Sequence, residues 1–306
     1  MKIYKKLIAF GVTAVTALCS TFGSYAEEEQ DVSTEARYVV YSEDFPDAYI
    51  IVEESTPISL LADNENEVCM GEIEATVFVH EEYAVVDNEL IVTSSCLLSK
   101  EEVEAIGIEN FSEQALITAN EWISGGNTYD DNYKCTITMG ATYKYEGQGV
   151  IWNLYGTGGW DHPGLNSAES PATGLDYIGY SWFGDLEGTN PTAELTWSQN
   201  PPASQKKDIK AVQIEPNSAY VWGFDELWYG HINSQQGWVE LADVTIQCKK
   251  NVLTGGGNRA TAVLTYIHTY EQANGSIVVS KTGAGFSLTG VDKQWSFAIQ
   301  ITGLPY

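Results

Sequence analysis

Trp160, Asp161 and His162 stand in a row inside GTGGWDHPGLN, the stretch from Gly156 to Asn166. An indole, a carboxylate and an imidazole are parts from which acid–base dyads and ligand-binding surfaces are made. The spacing argues against a dyad, because adjacent side chains in an extended chain point to opposite sides. The glycines and Pro163 are turn formers, so the expectation is Trp160 displayed on a stiff corner. A second stretch, GFDELWYGHINSQQGW from Gly223, repeats the mixture with Asp225, Glu226, Trp228, Tyr229 and His231. Aromatic faces beside carboxylates suit sugars, and the same residue types are enriched at protein-binding hot spots. These eight residues are the candidate ligand-binding set.

Other chemistry finds little support. No G-x-S-x-G elbow is present, and a Ser-His-Asp triad needs the fold to assemble it. The histidines are scattered and no CxxC or HxxxH spacing occurs, so no metal site is read. NTYDDNY, residues 127–133, offers oxygen ligands without the spacing of a calcium loop. A glycosidase-type carboxylate pair would have many candidates among the 17 acids after residue 125, and nothing singles one out. His268, in LTYIHTY, shares a face with Leu264, Tyr266 and Tyr270. It is expected to be a structural histidine facing Lys281 across a hairpin turning at Asn274–Gly275. No cofactor is implied.

The elements that must carry these residues are mostly strands. GEIEATVFVH, from Gly71 to His80, alternates Ile73, Ala75, Val77 and Val79 with Glu72, Glu74 and Thr76, the signature of a half-buried strand. EYAVVDNELIVTSS predicts a hairpin turning near Asp87–Asn88. Ser99 and Glu102 form an S-x-x-E capping box that opens a helix on KEEVEAI. Ser112 would cap a second helix, EQALITANEWI, ended by Gly125–Gly126. From Lys134 onward about ten short strands follow, separated by Gly, Pro and Asn clusters. That pattern predicts an antiparallel sandwich or jelly roll.

Charge and cysteines bound the setting. The chain holds 42 acids against 15 Lys and Arg, a formal charge of −27. Residues 1–26 pair a lysine-rich start with a short apolar run and end in SYA, a secretory signal peptide. Its removal takes three lysines and no acid, leaving −30. Nucleic acid and anionic membranes would be repelled. Residues 27–125 hold 25 acids against Arg37 and Lys100, so the charge is concentrated there. Sparse Lys and Arg leave few trypsin-type cleavage sites. Cys69, Cys96, Cys135 and Cys248 are an even set in an exported chain, which predicts two disulfides. Pairing Cys69 with Cys96 and Cys135 with Cys248 keeps each bridge inside one domain, with stabilisation of about 3.5 and 5 kcal/mol.

The domain plan is then a signal peptide (1–26), a small acidic α+β domain (27–125), a linker (126–133) and an antiparallel β-sandwich (134–306). The function this implies is secreted, non-catalytic binding of an extracellular macromolecule, without membrane insertion. A host protein such as an immunoglobulin is the first partner, a glycan the second. A secreted carboxylate-type hydrolase is the enzymatic alternative.

Overall fold

The computed structural model describes residues 37–55, 67–86, 89–111, 128–161, 174–199, 205–225, 227–229, 236–251, 259–271, 275–280 and 285–305. In chain order these form β1 (Arg37–Tyr41), β2 (Ile50–Ser55), β3 (Val68–Val86), β4 (Glu89–Leu97), α1 (Lys100–Ile106) and β5 (Thr128–Glu146). Then follow β6 (Gly149–Asp161), β7 (Asp176–Phe183), β8 (Glu187–Gln199), β9 (Gln205–Asp208), β10 (Ala211–Glu215) and β11 (Ala219–Phe224). The remainder are β12 (Leu227–Tyr229), β13 (Gln236–Lys250), β14 (Arg259–Thr269), β15 (Ser276–Val279), β16 (Phe286–Thr289) and β17 (Gln294–Pro305). The signal peptide and the second helix lie outside the described residues.

The strands build two antiparallel sheets. One runs β1-β17-β14-β7-β11-β10. The other runs β2-β3-β5-β6-β13-β8-β9, with β4 also on β3 and β12 also on β13. Period-2 alternation makes one side of each strand apolar, and the two apolar sides face each other. Ile73, Ala75, Val77 and Val79 of β3 and Ile137 and Met139 of β5 meet Ile178 and Tyr180 of β7 and Phe297 and Ile299 of β17 in one core. The mainly β, antiparallel sandwich expected from the sequence is the fold observed. β3 and β4 pair as a hairpin with the register Val86↔Glu89, on either side of Asp87–Asn88. Ser99 caps α1 in a full capping box.

Three expectations are corrected. First, the described residues of 27–125 do not show a sheet of their own. β1 pairs with β17, the last strand, and β3 pairs with β5 over most of its length. Residues from both segments share one core. Of the linker at 126–133, residues 128–133 are instead the start of β5, so TYDDNY is strand rather than solvated spacer. An alternating strand such as β3 exposes a backbone edge as well as an apolar face; β5 satisfies the edge and the facing sheet covers the apolar side.

Second, the hairpin at Asn274–Gly275 is not formed. β14 pairs with β17 and β7, and His268 stands opposite Trp295 rather than Lys281. Ala262, Val263, Leu264, Tyr266 and Ile267 are all buried. A strand buried on both faces belongs in the middle of a sheet, where two long neighbours cover it. β15 pairs instead with β16, and this ribbon lies on the outside of the six-stranded sheet. There Phe286, Leu288, Ile277 and Val279 pack on Tyr177, Val221 and Ile267.

Third, neither disulfide is formed. Cys135 pairs with Trp160 of β6 and Cys248 with Trp152 of the same strand, eight positions along. At strand rise that is about 25 Å, against the 4.4–6.8 Å between Cα atoms that a bridge allows. Cys69 and the partner of Cys96, His80, are eleven positions apart on β3, about 35 Å. Cys69 is exposed, whereas Cys248 is fully buried and burial pushes its thiol well above the ordinary range. Iodoacetamide is therefore expected to modify Cys69 in the native protein and Cys248 only after unfolding. Native mass spectrometry that finds either bridge intact would overturn this.

Candidate functional site

The glycine-rich stretch GTGGWDHPGLN is strand, not corner, through Asp161. β6 runs from Gly149 to Asp161 in mid-sheet, and its Trp160 and Asp161 pair with Cys135 and Lys134 of β5. Glycine is needed here because side chains of the opposite sheet close on the backbone. A Cβ on Gly156 would lie 2.6 Å from Tyr180 Oη, and one on Gly158 2.8 Å from Tyr266 Cδ2. His162, Glu226 and His231 lie outside the described residues.

The second stretch comes to the same end of the nine-stranded sheet. In β12, Leu227, Trp228 and Tyr229 pair with Trp238, Gly237 and Gln236 of β13. The other side of those β13 residues is taken by β8, through Ser198 and Gln199. β12 therefore lies on the side of β13 that β6 occupies further along. The last β6 pair is Gly159↔Leu241 and the first β12 pair is Leu227↔Trp238. Three positions on β13 separate them, about 10 Å. The backbones carrying Trp160–Asp161 and Trp228–Tyr229 are thus brought together. Asp225 follows β11 and is exposed.

A second constellation is buried between the sheets. β3 brings Glu81, β7 brings Asp176 and β14 brings His268, each on an inward-facing position. His268 Nδ1 lies 2.9 Å from Asp176 Oδ1, and its Nε2 lies 3.2 Å from Glu81 Oε1. The three residues are 3%, 1% and 5% exposed for His268, Asp176 and Glu81, so solvent screens none of them. The carboxylates have further donors. Tyr83 Oη donates to Glu81 at 2.7 Å and Ser95 Oγ at 2.8 Å. The Trp295 indole N–H donates to Ser95 Oγ at 2.9 Å. Tyr266 Oη and the Thr269 N–H donate to Asp176.

Burial alone would raise the Glu81 carboxyl. Hydrogen bonding and charge from His268, with the hydroxyls of Tyr133 and Tyr83, more than offset it and hold the group down at about 2. An imidazole facing a carboxylate oxygen from each ring nitrogen donates to both only as imidazolium. The arrangement is an ionic interlock: Glu81 belongs to one sheet, His268 and Asp176 to the other.

His268 was legible as structural, but its two carboxylates were missed. The signal was present. Glu81 is the next member of the series Ile73, Ala75, Val77, Val79, and Asp176 begins the series Ile178, Tyr180, Trp182. Extending each alternation by one step places an acid in the core.

Among the described residues, no three His, Cys, Asp or Glu side chains are grouped to hold a metal ion. No helix among them is long and apolar enough to cross a membrane.

No protein-family model matches the chain, and no curated protein matches it. Among solved structures, the C-terminal domain of the AgI/II polypeptide BspA of Streptococcus agalactiae is 8% identical, with a TM-score of 0.25, over 86% of this chain and 99% of that one. Clostridium perfringens delta-toxin is 6% identical, TM-score 0.24, over 78% and 94%. The collagen adhesin CNA of S. aureus is 6% identical, TM-score 0.22, over 72% and 86%. None of these likenesses is close enough to carry a function across.

Proposed function

We propose that the protein is exported and acts by binding an extracellular macromolecule, first a host secreted or surface protein such as an immunoglobulin. The observation that carries this reading is the convergence on β13. Two segments far apart in sequence, each with Trp beside acidic residues, meet at one end of the nine-stranded sheet. A contact surface needs aromatic anchors held by a rigid support. A sandwich pinned through its core by a buried ion triad supplies the support. The strong negative charge favours a partner with a basic face and quickens encounter with it.

The test is a binding measurement on residues 27–306, against purified immunoglobulin and other secreted host proteins and, in parallel, a glycan array. The Trp160→Ala/Trp228→Ala double variant is run beside it. The expected result is a protein partner whose affinity falls at least about 10-fold in the double variant, as loss of hot-spot aromatics does. Binding to glycans alone transfers the surface to carbohydrate. Protein binding unchanged by the double variant moves the site off this sheet end.

A further inference from the structure

On the outside of the six-stranded sheet, away from the β13 surface, lies a hollow of about 100 Å³. Its floor follows from strand register. Tyr41, Ala298 and Thr265 stand in one row across β1, β17 and β14. Cross-strand neighbours share a face, so the small Ala298 between two larger side chains leaves a depression. β16 walls it with Phe286 and Leu288, and the segment after β1 brings Glu43 and Asp44.

Three buried polar atoms on side chains lining this hollow have no partner among the described residues: Tyr41 Oη, Thr265 Oγ1 and Gln294 Oε1. Thr265 is only 4% exposed. The Gln294 amide is held in one orientation, because its Nε2 donates to the carbonyls of Leu288 at 2.9 Å and Val291 at 3.1 Å. Its Oε1 is left as an acceptor. Burial, and then the charge of Glu43, raise the Tyr41 phenol to about 12, so it stays a neutral hydroxyl that can accept. Buried polar atoms left unmatched are costly, and the hollow is large enough for a compact headgroup.

We propose that this hollow is a binding site for a primary ammonium group on a short apolar stem. An ammonium has three N–H donors and no acceptor, matching three acceptor atoms. Glu43 and Asp44 balance its charge at the rim; Asp44 is already held in place by the Ser296 hydroxyl at 2.9 Å. The stem lies against Phe286, Leu288 and Ile267. Two sources share this chemistry, a lysine side chain of a partner protein and a free alkylamine.

Titration of residues 27–306 with n-butylammonium chloride, with 1-butanol as neutral counterpart, tests the site by nuclear magnetic resonance. The expected result is saturable shifts at Thr265 and Gln294 with butylammonium and at least a 10-fold weaker response to butanol. Thr265→Val, which removes the hydroxyl at equal volume, lowers the affinity at least 10-fold, whereas Thr265→Ser keeps it. Nα-acetyl-lysine methylamide binding as well as butylammonium assigns the site to a partner's lysine; binding of butylammonium alone assigns it to a free amine. Equal response to butanol, no saturation, or unchanged affinity in a folded Thr265→Val protein overturns the proposal. None of these results bears on the β13 surface, which the double tryptophan variant reads separately.

Discussion

Replacing His268 with alanine is expected to destabilise the fold by about 3–5 kcal/mol near neutral pH, the cost of removing one partner from a buried ion pair. The reason lies in what remains. Glu81 and Asp176 would stay between the sheets with only hydroxyl and amide donors around them: Tyr83 and Ser95 for one, Tyr266 and the Thr269 amide for the other. Among the described residues, no other cation stands within ion-pair distance of either. In a protein of this size the loss corresponds to a drop in Tm of roughly 10 °C.

The pH dependence separates this cause from a simple cavity. In the wild type, Glu81 is held at about 2, below its ordinary 4.5. A depressed carboxylate contributes stability in full above its unfolded value and loses it as pH falls toward the folded one. The wild type should therefore lose about 3 kcal/mol between pH 4.5 and 2 from this group alone. In the His268→Ala variant the burial that raises the Glu81 carboxyl is no longer opposed by an imidazole, so the folded state takes up a proton there and gains relative stability on acidification. Urea denaturation at pH 7 and pH 3 should show the gap between the two proteins narrowing in acid. An equal gap at both values, or one under about 1 kcal/mol at pH 7, would show that the triad is not an ionic interlock.

What could be read from the sequence depended on whether the information was local. The alternation of Ile73, Ala75, Val77 and Val79 announced β3, and the Ser99–Glu102 pair announced the start of α1, because both signals sit within a few residues. Pairing is not local. Nothing near Arg37 says that its strand joins the last one, yet β1 and β17 share an edge. Nothing near Asn274–Gly275 says that β14 is already flanked on both sides. The disulfide expectation failed for the same reason: it was drawn from an even count and an assumed domain boundary, whereas register sets the distance. The aromatic segments around Trp160 and Trp228 could be singled out by composition, but their meeting along β13 required knowing which side of that strand β8 had taken. The ion triad lay between these cases. Each acid was visible as the continuation of an apolar series, but three separate series had to converge before the acids had a purpose.

Gly158→Val gives the second large effect, and here local and long-range reasoning predict opposite signs. Gly158 lies inside β6, where a β-branched residue is favoured by strand propensity and glycine carries an entropic cost. On that basis valine should stabilise by up to about 1 kcal/mol. The opposite sheet reverses the outcome. A Cβ at Gly158 would sit 2.8 Å from Tyr266 Cδ2, 2.9 Å from Ile178 Cδ1 and 3.1 Å from Tyr266 Cε2. Tyr266 and Ile178 are both fully buried, so neither can swing into solvent. Tyr266 is also tied by its hydroxyl to Asp176, so displacing its ring disturbs the ion triad as well. Valine adds two further methyl groups at the same point. The sheets must separate locally, and the expected loss is about 3 kcal/mol or more, the upper range for overpacking a filled core. Thr157→Val is the matched control. Thr157 neighbours Gly158 on the same strand but points to the outer face, where it is half-buried. There the strand preference for valine is unopposed, and the variant should be neutral or slightly more stable. Urea unfolding of the two variants should therefore shift the midpoint in different directions with little change in slope. If Gly158→Val is as stable as Thr157→Val, the glycines of GTGGWDHPGLN are not there to admit the facing sheet.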